Sequence, residues 1–329
     1  MNQQGPMYLG IDIGGTKVAA GLVSHDGEVL YKTRVPMSPQ GDASAGFNAV
    51  KIAIDEAKKA NPNATIAGIG ICSPGPLDPK TGVVINPPNL PCWRNFPLAS
   101  EVAKAYGVPA RVDNDANAAG LAEAIWGAAR GYANVFYATI GTGIGTGIVF
   151  NGRIYHGRTG AAAEGGHMSI DYHAPRCGCG KRGCIEALAS GPAIAARARK
   201  MVATDKGRSK MVDLVQGNTE AITTETVADA WRAGDPLATE VLRETADLLT
   251  IWLGNVIDVL EPDVMVVGGG VGEVVSYWFP HITEHLPKWS INQRCSEIPL
   301  KLAHYSADAG IAGAAALCLS AQNASAASQ

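Results

Sequence analysis

Apolar residues in this chain come in short runs broken by turn-forming residues, and the first two runs set the theme. Between Tyr8 and Val23, YLGID and VAAGLV flank Ile13-Gly14-Gly15-Thr16-Lys17, which predicts a β-hairpin with a glycine- and threonine-rich turn. The pattern returns between Val135 and Phe150, where VFYAT and GIVF bracket Ile140-Gly141-Thr142-Gly143-Ile144-Gly145-Thr146. The likeness extends outward, because Asp26-Gly27-Glu28-Val29 follows the first hairpin and Asn151-Gly152-Arg153-Ile154 the second. This is a degenerate internal duplication, each copy opening a domain with a hairpin.

Between the copies, Phe47, Val50 and Ile54 recur at helical spacing and predict a helix over 45–60, and 65–72 reads as a buried strand. The segment from Pro74 to Pro97 is rich in Pro, Gly and Asn, and a connection of that length is usually functional. After Asp113-Asn114-Asp115, Leu121, Ala124, Ile125 and Ala128 mark a helix that the Asx residues cap. A longer helix over 239–260 leads into a strand at 264–267 and then Gly268-Gly269-Gly270. Alternating strands and helices predict an α/β fold. The expected division is a smaller N-terminal lobe at 1–118, a larger lobe at 119–305, and a disordered tail at 320–329.

Composition narrows the function classes. With 329 residues, two lobes are expected. A formal net charge of -3 gives no electrostatic reason to expect nucleic acid or an anionic membrane as partner. No apolar run approaches the roughly 20 residues of a membrane span, and no signal-peptide pattern opens the chain, so a cytoplasmic protein is expected. In that compartment the seven Cys do not read as a disulfide framework.

Three of those Cys carry chemistry. In AEGGHMSIDYHAPRCGCGKRGCIE, Cys177, Cys179 and Cys184 stand at metal-ligand spacing with a histidine upstream, either His167 or His173, and Glu164 and Glu186 flank them. Three thiolates and an imidazole suit a closed tetrahedral Zn²⁺ site of structural type. Elsewhere the glycine-rich hairpin turns suit phosphate, because backbone N–H groups without a Cβ in the way can face an anion. Neither a P-loop nor a GxGxxG fingerprint is present. Asp12, just before the first turn, suits Mg²⁺ with its water shell.

Taken together, LGIDIGGTK, DNDANAAGLAE, TIGTGIGTGIVFNGRIYHG, EGGHM and CGCGKRGCIEALASG resemble the ROK family of bacterial sugar kinases, within the actin/hexokinase-like ATPase superfamily, in the family's order and over nearly the whole chain. The resemblance implies a two-lobe ribonuclease-H-like fold with a duplicated βαβ core and a small zinc-binding loop at 167–184. It also implies a C-terminal helix, about 306–320, that completes the first lobe. It implies ATP and Mg²⁺ as cofactors, a structural Zn²⁺, and phosphorylation of a hexose, glucose foremost, at its terminal hydroxyl by a cytoplasmic homodimer. N-acylmannosamine, N-acetylglucosamine, fructose, mannose and allose are the alternative sugars, and polyphosphate the alternative donor.

Carried over by position, Asp115 is the catalytic base. Asn114, Glu164, His167 and Glu186 hold the sugar, with Asn89 and the Gly75 backbone as further contacts. Asp12, Gly14, Gly15, Thr16, Lys17, Gly141, Thr142 and Gly143 hold phosphates and Mg²⁺. Gly269 and Gly270 lie against adenosine. His167, Cys177, Cys179 and Cys184 are the zinc ligands. Two positions depart from the family pattern: Gly165, where an aliphatic residue is usual and glycine is expected to loosen the backbone before His167, and Cys92, where glycine is usual. The family also contains sugar-sensing repressors with an N-terminal winged helix; only seven residues precede Tyr8, and Asp12 and Asp115 are kept, so an enzyme is expected.

Overall fold

A computed structural model describes residues 5–204 and 209–326, with side chains to residue 319. Along the chain run β1 (Met7–Ile13), β2 (Lys17–Val23), β3 (Val29–Pro36), α1 (Ala43–Ala60), β4 (Ile66–Cys72), β5 (Leu77–Asp78), β6 (Val83–Val84), α2 (Leu98–Tyr106), β7 (Ala110–Asp113) and α3 (Asp115–Ile125). There follow β8 (Asn134–Ile140), β9 (Ile144–Phe150), β10 (Arg153–Ile154), α4 (Ile185–Ala189), α5 (Gly191–Thr204), α6 (Lys210–Leu214), α7 (Thr224–Arg232) and α8 (Pro236–Leu260). β11 (Val264–Gly268), α9 (Gly269–Val275), α10 (Phe279–His285), β12 (Leu300–Leu302) and α11 (Ala309–Ala326) complete it.

The two five-stranded sheets have the same plan, β3-β2-β1-β4-β7 and β10-β9-β8-β11-β12, so the duplicated hairpins each found a sheet of one topology. The chain forms two compact units: residues 1–137, 147–163 and 304–329 in one, and 138–146 with 164–303 in the other. The boundary expected at 118 falls within α3, which stays with the first unit because it packs on α11. A Cβ on Gly313 would stand 2.7 Å from the Ala118 carbonyl carbon, so the two backbones nearly touch. The backbone of α11 is helical to Ala326; residues 327–329 of the tail expected at 320–329 lie outside the described residues.

In the first unit, alternation along β1 sorts its residues to two faces. Met7, Leu9, Ile11 and Ile13 join a core with Val50, Ala53 and Ile54 of α1 and Val102 of α2. Tyr8 faces the other way, with Ala19, Val23, Ile311, Ala315 and Cys318. Gly10 and Asp12 share the parity of Tyr8, so they too look toward α11. There the fit is tight: a Cβ on Gly10 would lie 1.9 Å from the Ile311 carbonyl oxygen, and one on Gly70 of β4 1.6 Å from that of Ala314. Only glycine lets the helix backbone settle onto the sheet at these two points.

The second unit is organised by α8. Asp235 caps it by accepting the Ala238 N–H at 2.7 Å, and Pro236 opens its first turn. Its apolar side, Val241, Leu242, Leu249, Trp252, Leu253 and Val256, is buried. α4, α5, α7 and α10 pack on it.

Gly70→Ala should cost more than about 2 kcal/mol, since the displaced group is backbone and cannot rotate away. The check is the denaturant midpoint of the purified variant; an unchanged midpoint would mean that α11 does not sit against β4.

Candidate functional site

In the first unit, register brings chemistry to one sheet edge. Asp12 of β1 pairs with Cys72 of β4, and Cys72 with Asp113 of β7, at the carboxyl ends of three parallel strands. Such ends are where open α/β sheets present their ligands. Asp12 also sits against the first turn of α11, where a Cβ on Gly310 would come within 2.5 Å of its carboxylate. Burial, and then the charge of Asp115, raise the Asp12 pKa to about 6, against the pull of Lys17 and Arg34. The Cys72 thiol, buried and facing the charges of Asp12, Asp115 and Asp113, is pushed far up and stays protonated. It points at the Gly310 carbonyl, 3.4 Å away.

Asp115 is the first residue of α3, and Asn114 is its cap. The Asn114 Oδ1 accepts the N–H groups of Ala116 and Asn117 at 3.0 and 3.4 Å, and its amide side chain also bonds to the Asp115 carboxylate. The Asp115 side chain opens to solvent yet is crowded enough for desolvation to raise its pKa, a shift opposed by the Ala116 N–H at 2.8 Å. Asp113 is buried, and its two oxygens are taken by the Asn114 N–H at 2.8 Å, Asn117 Nδ2 at 3.2 Å and His156 Nε2 at 2.6 Å. Sequence reasoning missed this use of His156, because partners 43 residues apart leave no local signal.

The first turn is closed by Gly14 N–H to the Lys17 carbonyl at 2.9 Å, and Thr16 and Lys17 are exposed. Asn89 stands beside Gly15, where a Cβ would meet its carbonyl at 3.2 Å, so the Pro74–Pro97 segment reaches the turn; Gly75 opens that segment after β4. Cys92 packs against the apolar core near Gly46, away from any polar work.

In the second unit, the turn Gly141–Gly143 is closed by a Gly141 N–H to Gly143 carbonyl bond of 2.9 Å. Glu186, first-turn residue of α4, accepts the Ile144 N–H through Oε2 at 2.9 Å, while Oε1 lies 3.7 Å from His167 Nδ1. One carboxylate therefore joins the Gly/Thr turn to the cysteine loop. His167 ends a 3-10 turn, and Glu164 at its start is exposed, its carboxylate without a hydrogen bond among the described residues. Gly165 is not loose, contrary to expectation. Its N–H donates to the buried Thr146 hydroxyl at 2.8 Å and its carbonyl accepts the Trp252 indole at 3.0 Å. A Cβ there would stand 2.9 Å from that hydroxyl oxygen, so Thr146 fills the room an aliphatic residue would need.

The ligand atoms of His167, Cys177, Cys179 and Cys184 all lie within 4.8 Å of one another. Cys177 Sγ is 3.7 Å from His167 Nδ1, and Cys179 Sγ 3.6 Å from Cys184 Sγ. Tetrahedral zinc with thiolate bonds of about 2.3 Å needs ligand separations of about 3.8 Å, so the donor set fits. His173, the alternative ligand, is exposed on the loop and lies against the neighbouring Tyr172 ring, tilted by 38°.

A cavity of ≈ 790 Å³ also lies in the second unit, bordered by Gly141, Thr142 and Gly270, with Arg199, Thr224 and Arg232 on its α5 and α7 sides. Gly269 holds φ +83 where a Cβ would be 2.4 Å from the Ile140 carbonyl, so the chain can enter α9 there only as glycine. The α5 and α7 walls were not anticipated. Thr223, which caps α7 through a box with Thr226, was the available sequence signal.

The sequence profile of the ROK family matches residues 8–321. The chain belongs to the ROK family. Its two-sheet α/β architecture is accordingly that of the actin/hexokinase-like ATPases. A ROK family glucokinase from Streptomyces griseus, solved in complex with glucose and AMPPNP, is 34% identical and superposes with a TM-score of 0.78 over 94% of this chain and 98% of its own. An N-acetyl-D-glucosamine kinase of Pasteurella multocida is 32% identical over 95% of this chain and 100% of that protein. A ROK family transcriptional regulator, a homologue of the E. coli MLC protein, is 28% identical with a TM-score of 0.84, covering 97% of this chain and 79% of the regulator.

Within this ROK chain, a metal held by these four residues would tie the loop that carries His167 to the start of α4, and its removal should loosen both together. Chelation, or Cys179→Ser, should lower the melting temperature by at least ~4 °C, as about 2 kcal/mol does in a unit of this size. Calorimetry with and without chelator checks it, alongside metal content by mass spectrometry; a metal-free protein of unchanged melting temperature would overturn the assignment.

Proposed function

We propose that the protein is an ATP-dependent sugar kinase of the cytoplasm that phosphorylates a hexose at its terminal hydroxyl, with glucose as the first substrate. The observation that carries the reading is the placing of Asp115 at the head of α3, with its charge coupled to Asp12 at the same sheet edge of the first unit. Phosphoryl transfer asks the protein for positioning, for charge neutralisation, and for a group that accepts the proton of the attacking hydroxyl. Asp115 suits the last role, because desolvation strengthens it as a base while the N–H groups of the first turn of α3 oppose that shift and favour the carboxylate. In the first unit Asn114 Nδ2 suits a sugar hydroxyl, and in the second Glu164, His167 and Glu186 offer further polar groups for one.

For the donor, the second-unit cavity has the size and mixed lining of a nucleoside site, which favours ATP over polyphosphate. Its Gly141–Gly143 border suits phosphates, with Gly270 against the adenosine. Asp12 with Gly14, Gly15, Thr16 and Lys17 would hold Mg²⁺ and the terminal phosphates. Bound Mg²⁺ supplies charge neutralisation of the phosphoryl oxygens. A structural Zn²⁺ at the cysteine loop is part of the same proposal. The similarity to a transcriptional regulator admits a sensor, yet both carboxylates that a sensor would not need are present and desolvated in the first unit.

Coupled ADP release with ATP and a panel of glucose, mannose, fructose, allose, N-acetylglucosamine and N-acetylmannosamine tests this. Glucose should turn over fastest, and silence with every sugar would sink the kinase reading. Asp115→Asn should lower kcat at least ~10³-fold with glucose affinity held within about tenfold, or about 1.4 kcal/mol.

A pH dependence follows from Asp12. Its carboxyl is neutral below its raised pKa and charged above it, so binding of MgATP strengthens as pH rises through about 6. On the acid side kcat/KM for MgATP should fall by about tenfold per pH unit. The limb should vanish in Asp12→Asn, and a wild-type profile flat from about pH 5 to 8 would contradict the role.

A further inference from the structure

Asp113 is a buried carboxylate that the proposed reaction does not itself use, yet it is bonded to the backbone that carries Asp115. Its Oδ1 accepts the Asn114 N–H at 2.8 Å and Asn117 Nδ2 at 3.2 Å, and its Oδ2 lies 2.6 Å from His156 Nε2. A carboxylate oxygen only accepts, so the imidazole carries its proton on Nε2 and donates it. His156 is itself held at both ends. The Tyr155 N–H donates to the Ile148 carbonyl at 2.8 Å, and the His156 carbonyl accepts the Ala162 N–H at 3.2 Å. The ring is 28% exposed and lines a cavity of ≈ 240 Å³ in the first unit, with Arg111, Arg153 and Pro79 around it.

We propose that His156 is a positioning residue for Asp115, acting through Asp113, on the reading that Asp115 is the base of a sugar kinase. The path is short and made of named bonds: ring to Asp113 Oδ2, Asp113 Oδ1 to the Asn114 N–H, and Asn114 by its peptide bond to Asp115. Removing the ring strands a buried charged oxygen, which the chain relieves by turning Asp113 toward the cavity water and the two guanidinium groups. That turn releases the Asn114 N–H at the mouth of α3. A displacement of about 1 Å in a reacting group costs on the order of 10²-fold in rate.

The cavity supplies the test, because truncation of His156 opens a ring-sized space continuous with solvent. His156→Ala should lower kcat on the order of 10²-fold while KM for hexose and for ATP stays within about threefold. Added imidazole should restore at least about tenfold of the loss, saturably, whereas an inert salt at equal ionic strength should not. His156→Gln, which keeps a donor, should retain more than about a tenth of wild-type kcat, and it stands in if the alanine variant does not fold. Arg111→Ala and Arg153→Ala border the cavity without a bond to Asp113 and should leave kcat within about threefold.

Hydrogen exchange at the Asn114 amide gives a readout without turnover: protection should fall in His156→Ala and return with imidazole. A His156→Ala kcat within about threefold of wild type overturns the proposal, as does a loss that imidazole leaves unchanged in both turnover and exchange. If wild type phosphorylates no hexose while the exchange result holds, it is the kinase reading that fails and not the His156–Asp113–Asn114 linkage.

Discussion

The seating of α11 on the first sheet, carbonyl against glycine, is the constraint on which the first unit depends. At Gly10 and Gly70 the helix backbone comes so near that a single methyl group would collide with it. The same helix brings Gly310 against Asp12 and Gly313 against α3, so one surface of small residues sets the depth of one carboxylate and the seat of the helix that bears the other. Close packing of this kind transmits displacement because it leaves no slack. The electrostatics follow from it: Asp12 is desolvated because a helix covers it, and its pKa rises for that reason first.

In the second unit the loop before His167 reaches fixed geometry by another route, with polar bonds in place of side-chain packing at its glycine. The residue at 165 has no side chain to wedge into the core, so the backbone is tied by the Thr146 hydroxyl on one side and the Trp252 indole on the other. Glu186 does the equivalent for the neighbouring turn through the Ile144 N–H. A pocket wall built this way depends on direction as well as volume, since hydrogen bonds weaken steeply off axis. The glycine that looks permissive in sequence is therefore among the more constrained residues of its loop.

What the sequence made legible was local. Both hairpins, the long α8, the strand before the triple glycine and the cysteine cluster are patterns within about 25 residues, and each rests on periodicity or spacing. The limits of the units were less legible, since whether 119–137 joins one body or the other depends on how α3 meets α11, almost 200 residues later. The cavity walls on α5 and α7 and the Asp113–His156 pair were hidden for the same reason. Glu123 makes the point most plainly. In sequence it is one acid in a helix, but it is buried and accepts the N–H groups of Ala128, His304 and Tyr305, the last two from a segment far along the chain.

The three acids at the edge of the first sheet show how one neighbourhood gives like groups different chemistry. Asp113 has every oxygen engaged by a donor, so it is fixed and unavailable. Asp115 has the Ala116 N–H at its own helix start and solvent before it, so it is held but reachable. Asp12 has little beyond the help of Lys17 and Arg34 against burial and the charge of Asp115, and its pKa rises to about 6. A cation placed there would relieve the repulsion that raises Asp12, and would weaken the hold of protons on Asp115 as well. Cys72, lying between Asp12 and Asp113 in the register, adds no charge of its own because burial first, and then the neighbouring carboxylates, keep its thiol protonated. Separation of environments, more than the number of acids, is what makes one suited to structure and, on the proposed reading, one to metal and one to the proton.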